Sequence, residues 1–408
     1  MEIRPILSAL MRNKTAPLLV AIQVAISLAI LTNALYIVNI RQAASARPSG
    51  IADESSLFRV AVFPIVPLKF NEQVAQQQRA HDILKGIPGV VSVAAANQTP
   101  MSRSGSTTGV ASDRKQARGI PASNYTTSDS LINTLGLKLV EGRDFNRGDV
   151  LDTDPSTDNS NPKVAIITKE LANTLYPGAA NVVGKPMYFG TGDDADELRV
   201  IGVVERLQTI GAQTGSRGEL SVMIPRLGSD YVQYVVRTEP GQRDRAIKQA
   251  EEAMRKIGPA AVIVRIKTIE SDRTSRYRSD KALAGLLLIV SALLLLVTAS
   301  GIVGMTALWV AQRRKQIGVR RALGARKIDI LRYFITENVL ITTGGIASGL
   351  LLSVGLNQLL VSQLELNKLP ANYMIAGAGI FWLLGILAVY GPALRAASIS
   401  PATATRSA

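Results

Sequence analysis

The run APLLVAIQVAISLAILTNALYIVNI, residues 16–40, holds no charged side chain between Lys14 and Arg41. A bilayer's hydrocarbon core takes about 20 apolar residues at 1.5 Å rise, so this run can cross it as one helix. Three comparable runs follow. The second has 31 uncharged residues between Lys281 and Arg313, and the others lie between Glu337 and Glu365 and between Lys368 and Arg395. The second run would measure about 46 Å as a helix, so part of it is expected beyond the hydrocarbon. The reading is an α-helical membrane protein with transmembrane helices at residues 15–40, 282–312, 334–364 and 371–394. A large outer domain occupies residues 41–281.

Charge orients these spans. The N-terminal stretch 1–14 carries Arg4, Arg12 and Lys14 against Glu2, and the tail 395–408 carries Arg395 and Arg406 with no acid. Between Arg313 and Glu337 stand eight basic residues against Asp329 and Glu337. Short loops rich in Lys and Arg stay in the cytoplasm, which places both termini and the 313–333 loop inside and the outer domain outside. The short loop 365–370 is then outside as well. A signal peptide is the competing reading, with Ala44-Ser45-Ala46 as a cleavage site, but the apolar run far exceeds the 7–15 residues of an h-region. An uncleaved anchor is expected.

Composition removes several functions. The 408 residues include no cysteine and one histidine, so thiolate metal sites, disulfides, a cysteine nucleophile and histidine clusters are excluded. His81 reads as a packed or rim side chain. The net charge of +15 would suggest nucleic acid if it were spread over a soluble fold, but +10 of it sits in the cytoplasmic pieces, so no nucleic-acid partner is expected. Inside the four runs there is no Asp, Glu, Lys or Arg to make an ion path. Gly178 to Lys185 resembles a phosphate loop, but its spacing is one residue too long and Pro186 replaces the Mg²⁺-binding hydroxyl. Asp152, Asp154, Ser156 and Asp158 alternate like the start of a calcium loop, yet Thr157 and Lys163 stand where Gly and Glu are needed. Asp193, Asp194, Asp196 and Glu197 read as a polar hairpin tip. The chain is expected to be no enzyme and to bind no cofactor.

The outer domain reads as α+β. SSLFRVAVF, then a helix in NEQVAQQQRAHDILKGI, then VVSVAAA form one strand–helix–strand unit over 57–96. The order returns over 229–270 as YVQYVVRT, GQRDRAIKQAEEAMRKI and AVIVRI, with Ile-Pro-Gly in the first unit answered by Ile-Gly-Pro in the second. Two such units can share one sheet with their helices on one face, a ferredoxin-like layer. Between them, residues 97–228 alternate short strands with Gly, Pro and Asp clusters, an inserted β-rich lobe.

The segment AQRRKQIGVRRALGARKIDILRYFITE, residues 311–337, carries the functional signal. Arg and Lys flank a small apolar stripe of Ile317, Ala322 and Leu323, and Gly324 ends the helix. Such a helix suits a groove on another protein; the alternative is a basic segment lying on anionic lipid.

Here the sequence resembles the MacB/FtsX-like ABC transporter permeases. Their motif between the second and third spans has the form R-x-x-E-I-G-x-R-x-A-L-G-A, matched by Arg313 to Ala325, except that Gln316 replaces the usual Glu. Arg12-Asn13-Lys14, PALRAASISPATATR (392–406), YTTSDSLINTLGLKLVEGRDF (125–145), VAIITKELANTLYPGAANVVGKP (164–186) and RVIGVVERL (199–207) extend the resemblance along the chain. It implies a permease subunit in the bacterial inner membrane. A second copy or a paralogue completes the dimer, and a separately encoded cytoplasmic ATPase holds the ATP and Mg²⁺. The ATPase-coupling residues it implies are Arg314, Gln316, Ile317, Gly318, Arg320, Arg321, Ala322, Leu323, Gly324 and Ala325, with residues 1–14 as an interfacial helix against membrane lipid. ATP-driven motion would be relayed to the periplasmic core domain for efflux, with a periplasmic adaptor and outer-membrane channel as further partners. A lipoprotein-releasing permease is one alternative. An FtsX-like subunit that regulates a periplasmic enzyme without transport is another.

Overall fold

A computed structural model describes residues 14–65, 68–154, 157–158, 160–227, 232–258, 262–364 and 368–399. The interfacial helix expected over 1–14 (Lys14 apart), most of the tail and the first half of the 365–370 loop lie outside the described residues. The elements run α1 (Thr15–Ala46), β1 (Leu57–Pro64), α2 (Phe70–Lys85), β2 (Val90–Ala96), β3 (Thr107–Ala111), β4 (Ile120–Thr127) and α3 (Leu131–Leu135). Next come β5 (Leu139–Gly142), β6 (Leu151–Asp152), β7 (Val164–Thr168), α4 (Lys169–Leu175), β8 (Pro186–Phe189), β9 (Asp196–Val204) and β10 (Ser221–Leu227). The chain continues with β11 (Gln233–Thr238), α5 (Arg243–Arg255), β12 (Val262–Thr268), α6 (Ile269–Gln312), α7 (Arg314–Ala322), α8 (Lys327–Leu364) and α9 (Ala371–Ala397). They form two units, one of residues up to Gln42 and from Lys281 onward, the other Ala43–Asp280.

In the second unit, β12, β1, β11 and β2 lie side by side, every neighbouring pair antiparallel. This is the ferredoxin-like order, built from the two strand–helix–strand repeats. Strand side chains alternate between faces, so Phe58 and Val60 of β1 turn to the helix side. There, with Tyr234 and Val236 of β11, they meet Ala80 and Leu84 of α2 and Ala246, Ala250 and Met254 of α5. Leu57, Val235 and Ala94 turn the other way, into a core with Leu131 and Leu135 of α3, Ile269 and Tyr277 of α6 and Ala44 of α1. Helix α1 runs unbroken through the Ala44-Ser45-Ala46 stretch, and Ala44 is buried in this core.

The inserted lobe closes on itself. β4 pairs with β3, β3 with β8, β8 with β9, β9 with β7, β7 with β10, and β10 returns to β4. Inside this six-stranded ring lie Val110, Ala122, Ala165, Ile167, Met187, Leu198, Val200, Val222 and Ile224. Leu171, Ala172 and Leu175 of α4 join the same core. A reading of short strands and turns missed α3 and α4, which are too short to show a period. Only their caps mark them: Ser130 Oγ accepts the Asn133 N–H, and Thr168 Oγ1 the Leu171 N–H. Asp193 and Asp194 lie at the tip between antiparallel β8 and β9 as the sequence suggested, but Asp196 and Glu197, read as part of that tip, are paired residues of β9, opposite Phe189 and Tyr188.

Among the described residues, the first unit holds four helices long and apolar enough to cross a membrane. The chain is thus an α-helical membrane protein with an α+β domain between its first two spans. α1 is the helix most enclosed by the others, its Val24 and Leu28 fully buried. Gly345 and Gly349 of α8 let it approach: a Cβ at Gly345 would sit 2.8 Å from the Ala21 carbonyl oxygen, and one at Gly349 2.9 Å from Ala25 Cα. Hydroxyls stitch the contacts, with Ser27 3.0 Å from Thr298, Thr32 2.7 Å from Ser353, and Asn33 donating to the Ser353 carbonyl.

Two helices begin earlier than the apolar runs. α6 starts at Ile269, not 282, and α8 at Lys327, not 334. Hydropathy marks the part of a helix that lipid can surround; the helix itself continues wherever charged residues find partners or water.

Candidate functional site

α7 sits between the second and third spans. The Arg313 carbonyl accepts the Ile317 N–H, while the Arg313 N–H still reaches the Trp309 carbonyl, so α6 passes into α7 through the single residue Arg313. Gly324 closes the helix at φ 96°, with its N–H on the Arg321 carbonyl and the Ala325 N–H on that of Arg320. That paired pattern needs a left-handed residue after the helix, which glycine supplies without a Cβ clash. The Arg326 N–H then donates to Asp329, and α8 starts at once.

A charged clamp holds the base of α7. Arg313 Nη1 lies 2.9 and 3.0 Å from the two Glu337 oxygens, with its guanidinium 5.3 Å from the Trp309 ring centre. The Glu337 side chain is 1% exposed. In the sequence Glu337 bounds an apolar run and counts among the acids of the basic loop, with no partner marked for it. A lone carboxylate in FITENVLITT was the available signal, since such a group needs a partner once buried.

Around this clamp the arginines expected to serve a partner are partly engaged at home. Arg320 stacks 5.2 Å over the Tyr333 ring, and Arg321 donates to the Ala325 carbonyl. Gln316, Arg313, Arg320, Ile317, Ile330, Tyr333 and Phe334 line a hollow of about 20 Å³, no more than a water's room. The expected apolar stripe is also split, because residues 317 and 322 lie about 140° apart at 3.6 residues per turn. Ile317 is 4% exposed and packs with Ile330, Phe334, Ala393 and Ala397, and Gly318 is buried beside it. Ala322, Val319 and Leu323 face outward instead, Leu323 with 83% of its surface free. Val319, which sequence reading passed over, belongs to this bare ridge. Arg314, Lys315, Gln316 and Gly324 are exposed, and Ala325 is half-buried.

A second charged cluster joins α6 to the outer sheet. Arg59 of β1 holds Asp272 through Nε at 2.5 Å and Nη2 at 3.1 Å, and its Nη1 donates to Gln233. Arg273 reaches Glu54 at 2.5 Å and the carbonyls of Ser45 and Arg47. The lone histidine, His81, lies at the rim of the layer, 3.3 Å from Asp82 and 3.8 Å from Asp129. Among the described residues no group of side chains could hold a metal ion.

Comparison with known proteins follows the same division. A family profile described as MacB-like periplasmic core domain matches residues 19–257, and one described as FtsX-like permease C-terminal matches residues 288–401. The macrolide export ATP-binding/permease protein MacB of Chromobacterium violaceum is 28% identical over 313 residues, covering 72% of this chain and 45% of that protein. The MacB of Nitrosomonas europaea is 30% identical over 265 residues, 60% of this chain and 38% of that one. The pyoverdine export ATP-binding/permease protein PvdT of Pseudomonas savastanoi pv. phaseolicola is 25% identical over 287 residues, 66% of this chain and 40% of that one. The chain spans less than half the length of these curated relatives.

Proposed function

Because the chain belongs to the FtsX-like permeases with a MacB-like periplasmic core domain, we propose that it is the membrane subunit of an ABC-type exporter. It works as a dimer on a cytoplasmic ATPase that holds ATP and Mg²⁺. α7 is the coupling helix, resting on that ATPase in the cytoplasm, and closure of the ATPase is relayed through the spans to the periplasmic domain. The observation that carries this reading is the shape of α7. Its inner face is locked by Ile317 and by the Arg313–Glu337 clamp beneath it, while Val319, Ala322 and Leu323 stand bare on the outer side.

A basic helix lying on lipid also buries an apolar face but needs no rigid base. A helix seated in a protein groove is served by both a rigid base and an apolar ridge, and α7 has both. Names of relatives pair export of a macrolide or of pyoverdine with ATP binding, which supports export as the task; the cargo is proposed no further than a compound delivered outside the inner membrane. Co-purification tests the reading. The tagged permease should retain an ABC ATPase and stimulate its turnover, while the purified chain alone hydrolyses no ATP. Recovery of the permease from its own cells without any ATPase would sink it.

A further inference from the structure

Residues 206–219, between β9 and β10, are gripped at once by both helices that enter the periplasmic domain. From α6, Arg276 donates through Nε to the Gly211 carbonyl and through Nη2 to that of Ala212 at 3.2 Å, and Asp280 braces it at 2.8 Å. From the end of α1, Arg47 donates to the Gln213 carbonyl at 3.3 Å and lies 3.5 Å from Glu219. Glu219 is also held by Arg206 at 3.0 Å. Gln208 ties the middle: its amide donates to the carbonyls of Arg47 and Pro48, its oxygen lies 3.2 Å from the Tyr277 hydroxyl, and its own carbonyl accepts from Tyr125.

The backbone here is also the strained part of the domain. Met101 (φ 63°), Arg103 (φ 62°) and Ala212 (φ 40°) are the non-glycine residues with left-handed backbone among the described residues, and all three meet at this loop. Met101 donates to the Thr209 carbonyl and Arg103 to that of Ile210. Met101 and Ala212 are buried. Such conformations persist only where the surroundings over-determine them, and their clustering marks a place where a backbone can switch.

We infer that residues 206–219 are the joint through which the two membrane helices move the six-stranded lobe, with Arg47 and Arg276 as its positioning residues. The inference rests on the permease reading above. One turn of α6 carries two grips of different kinds. Arg59 on Asp272 and Arg273 on Glu54 hold the helix to the sheet layer and its flank, while Arg276 holds the lobe's loop by its carbonyls. A small turn or shift of α6 therefore acts on the lobe and the layer at separate points, and the loop's backbone takes up the difference.

The chain has no cysteine, so Asp194→Cys on the lobe tip and Arg245→Cys on α5 give two unique spin-label sites, both exposed. Distances between them are measured by pulsed electron resonance in the full permease–ATPase complex, with and without trapped nucleotide. The unaltered pair should show a nucleotide-dependent shift. Arg276→Gln or Arg47→Gln should reduce that shift at least about fivefold, leaving the nucleotide-free distance, ATPase retention and ATP turnover within about twofold. Arg276→Lys, which keeps one charge but loses the two-carbonyl fork, should fall between. Arg143→Gln, which breaks a lobe ion pair away from the joint, should leave the shift intact. A full shift in the Arg47→Gln/Arg276→Gln double variant overturns the joint while leaving the permease reading standing, and so does an equal loss in Arg143→Gln. A complex whose unaltered chain shows no shift overturns both.

Discussion

Leu323→Asp tests the proposed coupling role of α7 most sharply, because the structure separates docking from folding at that position. Leu323 is 83% exposed and touches little of its own chain, so the permease should insert and fold as before. Seated in a groove on the ATPase, the leucine would contribute about 1.5–3 kcal/mol of apolar burial. Losing it weakens binding about 10- to 140-fold, at 1.4 kcal/mol per tenfold. Burying an unpaired carboxylate adds to the loss. Ile317→Asp gives the contrast. Ile317 is packed against α8 and α9, so its replacement should lower the thermal stability of the membrane unit itself. Titrating purified ATPase onto immobilised permease, with a melting curve for each variant, separates the two effects. Binding of Leu323→Asp within twofold of the parent would refute the docking assignment. A lipid-bound α7 orders the variants differently, with charge removal at Arg314 and Lys315 dominating and Arg320→Lys silent.

Glu337→Gln should leave Arg313 without its counter-charge; breaking a fully buried pair costs about 3–5 kcal/mol, and less here because Arg313 is 21% exposed, so a lower melting temperature with weaker ATPase stimulation is expected. In the lobe, hydrogen bonds from Arg143 hold the Asp149 carboxyl below the usual range. Its folded pKa lies below its unfolded one, so this stabilisation is present above the unfolded value and is lost as pH falls through the folded value. Arg143→Gln should therefore move the acid-unfolding midpoint to higher pH. Reporter fusions at Arg47 and Asp158 should read periplasmic and those at Lys327 and Ser407 cytoplasmic; a cytoplasmic signal at Asp158 would invert the topology.

Much of the architecture was legible because each signal was long or repeated. The four apolar runs needed only counting, and the two strand–helix–strand units announced the layer by their matching breaks. Closure of the lobe was not legible, since it depends on β10 returning to β4 across nearly 100 residues, with Ser221 opposite Ser123. Strand patterns carry no record of their partner. At α7 the residue types were readable but their sides were not. Treating Ile317, Ala322 and Leu323 as one stripe ignored the turn between them, and the aromatic partners Trp309 and Tyr333 that occupy Arg313 and Arg320 come from other helices.

The insertion of a closed ring between β2 and β11 has a consequence for biogenesis. β1 and β2 are not neighbours in the finished layer, because β11 lies between them. β2 ends at Ala96 and β11 begins at Gln233. At roughly 5–20 residues per second of synthesis, about 7–27 s separate their appearance. Throughout that interval β1 stands with both edges unpaired and VVSVAAA has at most its last residue matched to β4, a stretch open to pairing with other chains. The ring needs no strand from outside itself, but β10, which closes it, ends at Leu227, so it closes only at the end of this interval and then brings the start of β11 back beside β2. Slowing the ring, even by substitutions far from any functional residue, should therefore show up as aggregation of the layer before it shows up as loss of the proposed export.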